Sequence, residues 1–422
     1  MREITSSEFD KEVLAGGKVV VDFYSTECPP CEALAPKFDG LSDLYGKDIK
    51  FVKMFRQQNK ALAEQLGVKS SPTLLFFDNG AQVGGMLAGG IKRSDIIHRL
   101  DAMLPAQRVT EIKAHLKPTV SEFDVIILGA GPGGLTAGLY LCQAKINTVL
   151  VDVALPGGHV STTHEVSNYP GFIEPQAGYM LSHNMSEQTK QCGTTYKVAV
   201  DVTKIDLEKK EVVIDEFETI RAKKIIIATG TSPNLMGVPG EKELKGKGIS
   251  YCATCDAKYY GDKEVVVIGG GNSAVEEADF ISKFAGNITM VHQFGAFTAN
   301  KQAQAKLLAN PKVATLFEHE PRSFVRHGDK IITEVEDLKT KKVSKLVADG
   351  VFVFIGMKPN IELFKDKLAL DSWGYIKTDE DMRTSMPGVF AVGDVISKKY
   401  RQITTAVADG TIAAIAIAKE LN

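Results

Sequence analysis

Hydrophobic and polar positions along the first hundred residues alternate between the period of a strand and that of a helix. A β-branched and aromatic run at 19–24 predicts a buried strand, and apolar residues three or four positions apart over 32–45 predict a helix. The same patterns predict strands at 49–55, 73–77 and 82–87, a hairpin turn at 78–80, and helices at 59–66 and 93–104. This alternation predicts a small α/β domain over residues 1–105.

The rest of the chain begins with a polar stretch and then repeats one pattern twice. Residues 106–121 contain Pro118 and follow Pro105, and we interpret them as a linker with a helical turn around 109–116. As a coil, such a linker would reach roughly 20–25 Å. A strand, a Gly-rich turn and a helix then follow, once from Phe123 and again from Glu264. Two such units predict two dinucleotide-binding domains.

Composition narrows the class of protein. The 422 residues carry 50 Lys and Arg against 52 Asp and Glu, a net charge of −2, so no electrostatic feature predicts nucleic acid or an anionic membrane as a partner. With 44% hydrophobic and 24% charged residues, the chain is expected to fold. No apolar run approaches the roughly 18–20 residues that span a bilayer, and the N-terminus lacks the layout of a signal peptide. We expect a cytoplasmic protein.

Six cysteines, four of them in two C-x-x-C pairs, indicate redox or metal chemistry rather than a disulfide-stapled scaffold. A zinc site would need two further ligands near a pair. The histidine nearest in sequence to the first pair is His98, and no cysteine lies between Cys31 and Cys142. We therefore expect two redox pairs and no metal. Cys142 and Cys192 are interpreted as buried packing residues.

The first pair, Cys28 and Cys31, lies directly after a predicted strand and directly before a predicted helix. Unpaired N–H groups at a helix N-terminus stabilise a thiolate. With V-D-F-Y before the pair, Lys53, and the segment Ser71-Pro72-Thr73, residues 1–105 resemble thioredoxin. The resemblance implies that Cys28 attacks a substrate disulfide and that Cys31 resolves the mixed disulfide.

The same resemblance implies three supporting residues, namely a buried acid at Asp22, its partner Lys53, and a cis-proline facing the pair at Pro72. Two positions depart from the family, because Glu27 replaces the usual Trp and Pro29 replaces the usual Gly. A carboxylate beside the first cysteine disfavours its thiolate and hence favours the disulfide, which makes the pair a better reductant.

The first Gly-rich turn has the form G-x-G-x-x-G, with Gly129, Gly131 and Gly134 between a strand at 124–128 and a helical stretch. These glycines permit a tight turn and the close approach of a pyrophosphate to the helix N-terminus. Asp152 follows the next predicted strand, where it can accept a ribose hydroxyl. Together these features predict a dinucleotide site.

The second Gly-rich turn has the form G-x-G-x-x-A, with Gly269, Gly271 and Ala274 after a strand at 265–268. This form is common in nicotinamide sites, because Ala still allows the helix to pack closely on the strand. The second cysteine pair precedes this turn in the chain.

Residues 122–422 as a whole resemble the low-molecular-weight, bacterial-type thioredoxin reductase. Both Gly-rich turns and the pair Cys252 and Cys255 carry the resemblance. It extends to the motifs Pro156-Gly157-Gly158, Asn168-Tyr169-Pro170-Gly171, Ala228-Thr229-Gly230, Gly393-Asp394 and Arg401-Gln402. The implied fold class is α/β, with a thioredoxin fold before two Rossmann-like, three-layer domains. An FAD domain at 122–237 and 360–422 is then split by a nicotinamide and redox-cysteine domain at 238–359.

The family also implies roles for individual residues. In it, the cysteine matching Cys252 attacks thioredoxin, the one matching Cys255 contacts the flavin, and the acid matching Asp256 moves a proton. The residues implied to bind FAD are Gly129, Gly131, Gly134, Asp152, Gly157, Gly158, Asn168, Thr229, Gly230, Gly393, Asp394, Arg401 and Gln402. Those implied to bind the nicotinamide are Gly269, Gly271, Ala274, His292 and Gln293. The nicotinamide domain rotates in the family, which predicts hinges near 236–240 and 356–360.

The electron donor is where the sequence departs most from its relatives. NADPH-dependent members carry His-Arg-Arg and a further Arg after the strand that follows the second turn. Here His292-Gln293-Phe294 and Thr298 stand at those positions, and Lys301 is the nearest substitute cation. Since these arginines hold the 2′-phosphate and Gln293 can bond a plain ribose, we expect NADH rather than NADPH. Reduced ferredoxin is the alternative donor.

The whole chain therefore resembles a thioredoxin fused in front of its own FAD-containing reductase. The implied activity is thioredoxin-disulfide reduction, with electrons passing from NADH to FAD, to Cys252–Cys255, to Cys28–Cys31 and finally to protein disulfides. One alternative is an NADH-dependent peroxiredoxin reductase like the alkyl hydroperoxide reductase flavoprotein. Others are a ferredoxin-dependent flavin thioredoxin reductase and a non-enzymatic flavin redox sensor. A homodimer is expected, because the family is commonly dimeric.

Overall fold

The structure is a computed structural model that describes residues 1–163 and 165–421, and the chain divides into two units. The first unit comprises residues 1–161, 180–230 and 361–422, and the second comprises residues 162–179 and 231–360. The second unit therefore interrupts the first in sequence. Among the described helices, none is long and apolar enough to cross a membrane.

The N-terminal part of the first unit is a mixed sheet with helices packed against it. Its strands are β1 (Arg2–Glu3), β2 (Lys18–Tyr24), β3 (Lys50–Phe55), β4 (Thr73–Asp78), β5 (Ala81–Gln82) and β6 (Leu87–Ala88), and its helices are α1 (Pro29–Tyr45), α2 (Lys60–Gln65) and α3 (Arg93–Ala102). The sheet order is β1-β3-β2-β4-β5, with β6 also on β4. β2 runs parallel to β3 and antiparallel to β4.

The continuous apolar run of β2 is explained by burial on both faces. Val21 and Phe23 belong to one apolar cluster, whereas Val20 belongs to another with Leu34 and Phe38 of α1. Because successive side chains of a strand point to opposite faces, a strand covered on both sides must be apolar throughout.

The predicted hairpin turn is confirmed, but the strand predicted at 82–87 is wrong. Asn79 and Gly80 have φ angles of 50° and 80° and connect β4 to the antiparallel β5. The chain then leaves the sheet and returns as β6. Gly84, with φ of 63°, lies in this interruption, where its freedom to adopt a left-handed backbone lets the strand break.

The segment 106–121 is largely ordered rather than a coil. It contains α4 (Ala106–Ala114), whose Ile112 is buried in the N-terminal core, and β7 (Thr119–Glu122), which pairs with residues 218–221. Only residues 115–118 connect them, and four residues span at most about 14 Å. The predicted reach of 20–25 Å is therefore wrong, because tertiary contacts recruit both ends of the segment.

The next part of the first unit builds a parallel sheet and a smaller antiparallel one. Its elements are β8 (Val125–Leu128), α5 (Pro132–Gln143), β9 (Thr148–Asp152), α6 (Gly178–Cys192), β10 (Thr195–Val198), β11 (Val202–Asp206), β12 (Glu211–Ile214), β13 (Glu218–Arg221) and β14 (Lys224–Ile227). The antiparallel sheet has the order β11-β12-β13-β7.

The second unit has its own parallel sheet, in the order β16-β23-β17-β18-β19. Its elements are β15 (Thr231–Pro233), α7 (Glu241–Leu244), β16 (Ile249–Ser250), α8 (Ala253–Asp256), β17 (Glu264–Ile268), α9 (Asn272–Ile281), β18 (Asn287–His292), α10 (Lys301–Leu308), β19 (Val313–Phe317), β20 (His319–His327), β21 (Lys330–Asp337), β22 (Val343–Ala348), β23 (Gly350–Val353) and β24 (Met357–Pro359). β20, β21 and β22 form an antiparallel sheet, and β15 pairs with β24.

The chain then returns to the first unit. β25 (Val389–Ala391) completes the first parallel sheet in the order β10-β9-β8-β14-β25, and α11 (Ile403–Leu421) packs on α5. Two parallel sheets flanked by helices follow an N-terminal thioredoxin-like sheet in the chain, which confirms the predicted fold class.

Candidate functional site

The first cysteine pair lies at the N-terminus of α1. The Cys28 sulfur accepts a hydrogen bond from the Cys31 amide at 3.3 Å, and the two residues form a disulfide with Cα atoms 5.2 Å apart. Both are buried, with exposed fractions of 9% and 8%. The Cys28 sulfur is 3.5 Å from the carbonyl oxygen of Ser71, which precedes Pro72 through a cis peptide. Glu27 is exposed, so solvent screens its charge from the pair.

Asp22 is a buried carboxyl with unusual titration. Only 3% of its surface is exposed, and its Oδ1 atom accepts no hydrogen bond from the described residues. Burial raises its pKa to about 7, against the opposing positive charge of Lys53. Lys53 is opposite Asp22 in the β2–β3 register, but its ammonium lies 3.5 Å from Asp39. The predicted partner therefore acts on Asp22 through its charge while it forms its ion pair with Asp39.

The first Gly-rich turn joins β8 to α5, as predicted. Gly129 has φ of 111°, and a Cβ atom there would lie 2.3 Å from the carbonyl oxygen of Ala228, so only glycine fits. Asp152 ends β9 and accepts hydrogen bonds from the amides of Ala130 at 2.6 Å and Ala154 at 2.8 Å. Its carboxylate therefore lies beside the turn, where burial raises its pKa.

Most other residues predicted to bind FAD lie at the same edge, beyond the carboxyl ends of the parallel strands. They are Gly131 and Gly134 at the start of α5, Gly157 and Gly158 after β9, Thr229 and Gly230 after β14, and Gly393 and Asp394 after β25. This edge is where open α/β sheets bind their ligands. Asn168 differs, because it falls in segment 162–179 of the second unit.

Asp394 supplies a test of whether this edge fits a dinucleotide. Its Oδ1 atom is buried and accepts no hydrogen bond from the described residues. The ammonium of Lys398 is 3.7 Å away and donates instead to Asp409 at 2.7 Å. Burial raises the pKa of Asp394. Since a buried acceptor without a donor is costly, a polyol hydroxyl at this position would stabilise it, and the edge fits FAD.

Arg401 holds the loop that carries Asp394. It donates to the carbonyl oxygens of Asp394 and Ile396, both at 3.3 Å, and its guanidinium lies 3.8 Å from the centre of the Tyr375 ring. Gln402 directly precedes α11 at the same edge. Sequence reasoning missed Tyr375 and Asp409, because neither belongs to a motif.

The second cysteine pair has similar local geometry on a much shorter helix. The Cys252 sulfur accepts a hydrogen bond from the Cys255 amide at 3.2 Å, and the disulfide places the Cα atoms 5.4 Å apart. Cys252 is half-buried and Cys255 is exposed. Asp256 ends α8 and is half-buried, and its charge adds to the effect of burial in raising the pKa of Tyr260.

The second Gly-rich turn lines a cavity of 690 Å³ within the second unit. Gly269 has φ of 132°, and a Cβ atom there would lie 2.2 Å from the carbonyl oxygen of Phe354. Gly271 precedes α9 and Ala274 is buried in its first turn. The predicted nicotinamide turn therefore opens onto a space large enough for a ligand.

His292 and Gln293 offer different surfaces to this cavity. His292 is buried against Phe294 and Phe297, burial lowers its pKa, and its Nε2 atom has no hydrogen-bond partner in the described part of the chain. Gln293 is exposed and lines the cavity. Of the two predicted contacts, Gln293 is the accessible one.

Sequence reasoning missed a group of cavity residues on β20. Arg322 lines the cavity, but its guanidinium already pairs with Glu336 and Glu320, each at 2.8 Å. Lys301 is exposed at the start of α10 and is not among the residues described as lining the cavity. No local signal marks Arg322, because β20 lies far along the chain from the Gly-rich turn.

Cys142 and Cys192 are free thiols, half-buried rather than fully buried as expected. The Cys142 sulfur lies 2.5 Å from the Cys192 carbonyl oxygen, and burial is the main cause that raises its pKa to about 11. A thiol of that kind is a poor nucleophile at neutral pH.

Known proteins resemble both parts of the chain. Residues 123–410 match the family described as pyridine nucleotide-disulphide oxidoreductase, and residues 1–102 match thioredoxin. The 34.2 kDa protein in the rubredoxin operon of Clostridium pasteurianum is 44% identical over 302 residues, which are 71% of this chain and 98% of that protein. The thioredoxin reductase of Peptoclostridium acidaminophilum is 42% identical over 69% of this chain and 95% of its own length.

A solved structure gives the same result. The thioredoxin reductase of Lactococcus lactis in the FR conformation aligns with a TM-score of 0.66 and 36% identity, over 70% of this chain and 98% of that one. At 36% identity the similarity indicates a shared family as well as a shared fold. The separate match of residues 1–102 adds the thioredoxin fold to the same chain.

Proposed function

The chain belongs to the pyridine nucleotide-disulphide oxidoreductase family, and we propose that it relays electrons from NADH through FAD and Cys252–Cys255 to Cys28–Cys31, and then to protein disulfides. It is a flavin-dependent thioredoxin-disulfide reductase with a fused thioredoxin. We call residues 1–105 the thioredoxin domain and residues 122–237 with 360–422 the FAD domain. The observation that carries the proposal is that one chain holds two C-x-x-C disulfides, each at a helix N-terminus.

The relay follows from thiol–disulfide exchange. Bound FAD would supply the two-electron step between the nicotinamide and the Cys252–Cys255 disulfide. The Cys252 thiolate attacks a sulfur of the Cys28–Cys31 disulfide and forms a mixed disulfide. Cys255 then attacks the Cys252 sulfur and releases the thioredoxin-domain cysteine, so the Cys252–Cys255 pair is oxidised as the Cys28–Cys31 pair is reduced. Cys28 and Cys31 repeat the two steps on a protein disulfide. Each exchange breaks one S–S bond and forms another, so two electrons move and none is lost.

Two carboxyls are suited to handle the protons of this exchange. Asp256 directly follows the second pair, and Asp22, with a pKa of about 7, lies in the strand that leads to the first. Asp22 titrates near the working pH, and such a group both accepts and releases a proton readily. We assign Asp256 to proton transfer at Cys252–Cys255 and Asp22 to proton transfer at Cys28–Cys31.

The other activities considered are not favoured. Three of the relatives are named thioredoxin reductase, which argues against a peroxiredoxin reductase and against a sensor without turnover. A cavity at the second Gly-rich turn argues for a nicotinamide donor over ferredoxin. A homodimer, and hinges near 236–240 and 356–360, stay predictions.

The choice of NADH is supported by the cavity lining. Gln293 is exposed where NADPH-dependent relatives place an arginine, and it offers a hydrogen bond to an unphosphorylated ribose. Arg322 also lines this cavity, but its guanidinium is already paired with two carboxylates. A 2′-phosphate would therefore gain no unpaired arginine from these residues, and a charge-assisted hydrogen bond is worth about 1.5–3 kcal/mol.

Anaerobic stopped-flow reduction of the flavin tests the proposal. We expect kcat/KM for NADH to exceed that for NADPH by about a hundredfold, as expected from two missing charged hydrogen bonds. The matched variant Gln293→Arg should raise kcat/KM for NADPH and lower this ratio. Equal or better use of NADPH would overturn the choice of donor. If reduced ferredoxin reduces the flavin and neither nucleotide does, ferredoxin would replace NADH as the proposed electron donor.

A further inference from the structure

The thioredoxin and FAD domains share the first unit, and some of their contacts fall on the helix that begins at the first cysteine pair. Glu32, directly after the pair, forms an ion pair with Lys190 of α6. The next residue, Ala33, packs against the apolar cluster of the FAD domain. A Cβ atom at Gly90 would lie 3.2 Å from Leu155. The FAD domain therefore covers surface directly beside Cys28 and Cys31.

The loop at Gly90 belongs to the rim of the same site. The amide of Gly89 donates to the carbonyl oxygen of Pro72 at 3.2 Å, and the preceding Ser71 carbonyl is 3.5 Å from the Cys28 sulfur. Leu155 of the FAD domain packs beside this loop, at Gly90.

Lys37 joins the two domains one turn further along α1. Its ammonium donates to the carbonyl oxygens of Val198 at 2.9 Å and Ala199 at 2.7 Å, at the end of β10. Backbone carbonyls at the end of a strand are otherwise left to water, so the bonds are specific to this arrangement of the domains.

Asp201 forms a second point of attachment. Its Oδ1 atom accepts a hydrogen bond from Lys92 at 2.8 Å, and its Oδ2 atom accepts one from Ser94. Between those two residues, the guanidinium of Arg93 lies 4.5 Å from the centre of the Phe217 ring. Three successive residues of the thioredoxin domain thus bind the FAD domain.

The interface combines ion pairs with an open cavity. A cavity of 730 Å³ separates parts of the two surfaces, lined by Pro29 and Lys37 on one side and by Pro156, Lys190 and Asp215 on the other. Ion pairs around an open cavity resemble a reversible domain contact rather than a shared core. The connection at 115–118 is short, so the thioredoxin domain would remain close after release.

We propose that the FAD-domain surface formed by Leu155, Lys190, residues 198–201 and Phe217 is a docking site that holds the fused thioredoxin domain at rest. In this position Cys28 is shielded, and the domain must leave the surface before a protein disulfide can reach it. Thiol–disulfide exchange requires access to the sulfur, and Cys28 and Cys31 are both buried here. This inference rests on the proposed function only in assigning the attack to Cys28.

The charge reversal Asp201→Lys tests the docking site in the full-length holoenzyme. After reduction with dithiothreitol and its removal, we expect iodoacetamide to modify Cys28 about 3- to 10-fold faster than in the wild type, as measured by mass spectrometry of the Cys28 peptide. Insulin reduction driven by dithiothreitol should accelerate similarly. Neither assay uses a nicotinamide, so failure of the proposed electron relay would leave both results unaffected.

Three comparisons make the test specific. Glu211→Ala removes an exposed ion pair with Arg221, at 2.7 Å, on the antiparallel sheet β11-β12-β13-β7 of the FAD domain. It should leave the rate of Cys28 modification unchanged. Adding Lys92→Asp to Asp201→Lys should restore slow modification. If the single variant does not fold, the wild type in 1 M NaCl should show the faster rate, because salt screens these pairs. A wild-type rate in folded Asp201→Lys, or no effect of salt, would overturn the proposal.

Discussion

The two cysteine pairs share their local geometry and differ in everything around it. In each, the first sulfur accepts a hydrogen bond from the second amide, at 3.3 Å and 3.2 Å, and the Cα atoms are 5.2 Å and 5.4 Å apart. Cys28–Cys31 begins a 17-residue helix and is buried, whereas Cys252–Cys255 begins a four-residue helix and ends on an exposed cysteine. The motif sets the chemistry of a pair, and the surroundings set which partner reaches it.

The carboxyls near the pairs differ in the same way. Asp22 is buried, and its pKa rises to about 7, whereas Asp256 is half-buried at the end of its short helix. Burial makes a carboxyl costly to ionise, so Asp22 affects the stability of its domain as well as the chemistry. Asp256 is expected to affect the chemistry alone.

The largest expected effect comes from replacing the first cysteine of each pair, because the two replacements block electron flow at different steps. Cys252→Ser should abolish NADH-driven reduction of insulin and of small aromatic disulfides, because both depend on the second pair. Cys28→Ser should abolish insulin reduction yet leave small disulfides and flavin reduction unchanged. Steady-state assays of both substrates measure this. Normal insulin reduction by Cys28→Ser would show that the fused domain is not the output.

The next effect tests the burial of Asp22. A pKa raised on folding from 3.8 to about 7 means that the native state binds this proton more tightly. The protonated Asp22 therefore stabilises the native state fully below pH 4, and this stabilisation is lost as the pH rises through 7. Asp22→Asn should therefore leave the free energy of unfolding nearly unchanged near pH 4 and raise it by up to about 4 kcal/mol at pH 8.

Urea unfolding of the oxidised protein, followed by circular dichroism, measures the stability of Asp22→Asn. Asp43→Asn is the matched control, because Asp43 is an exposed carboxyl on α1 of the same domain. It should change stability little at either pH. A gain for Asp22→Asn that does not depend on pH would contradict the assigned cause.

The smallest of the three effects concerns Asp256. Asp256→Asn should slow reoxidation of the reduced flavin by the Cys252–Cys255 disulfide by about a hundredfold, which is typical of lost acid–base catalysis. Stopped-flow absorbance measures this half-reaction, and the half-reaction with NADH should keep its rate. An unchanged reoxidation rate would remove Asp256 from the mechanism.

Local patterns predicted most of the elements because their causes are local. The strand predicted at 19–24 spans Lys18–Tyr24, and the helix predicted at 32–45 begins earlier, at Pro29. Gly129 and Gly269 were identified from spacing alone, since a tight turn between a strand and a helix requires glycine whatever the rest of the chain does. Both cysteine pairs were found in the same way.

Other features depended on residues that are distant in sequence. Residues 106–121 have the polarity of a linker, but Ile112 packs on one core and β7 pairs with another sheet. Arg322 reaches the nicotinamide cavity from a strand outside every motif. Lys53 matches its family position, yet its ammonium pairs with Asp39.

The sequence by itself determined the class of fold, the redox pairs and the dinucleotide turns, because periodicity, capping and glycine geometry act within a few residues. Only the tertiary structure decided that Cys28 is buried, that the linker is ordered and that Lys37 binds the backbone at Val198. Lys37 and Val198 are 161 positions apart. A contact across that distance depends on how the domains pack, and packing has no signature in the neighbouring residues.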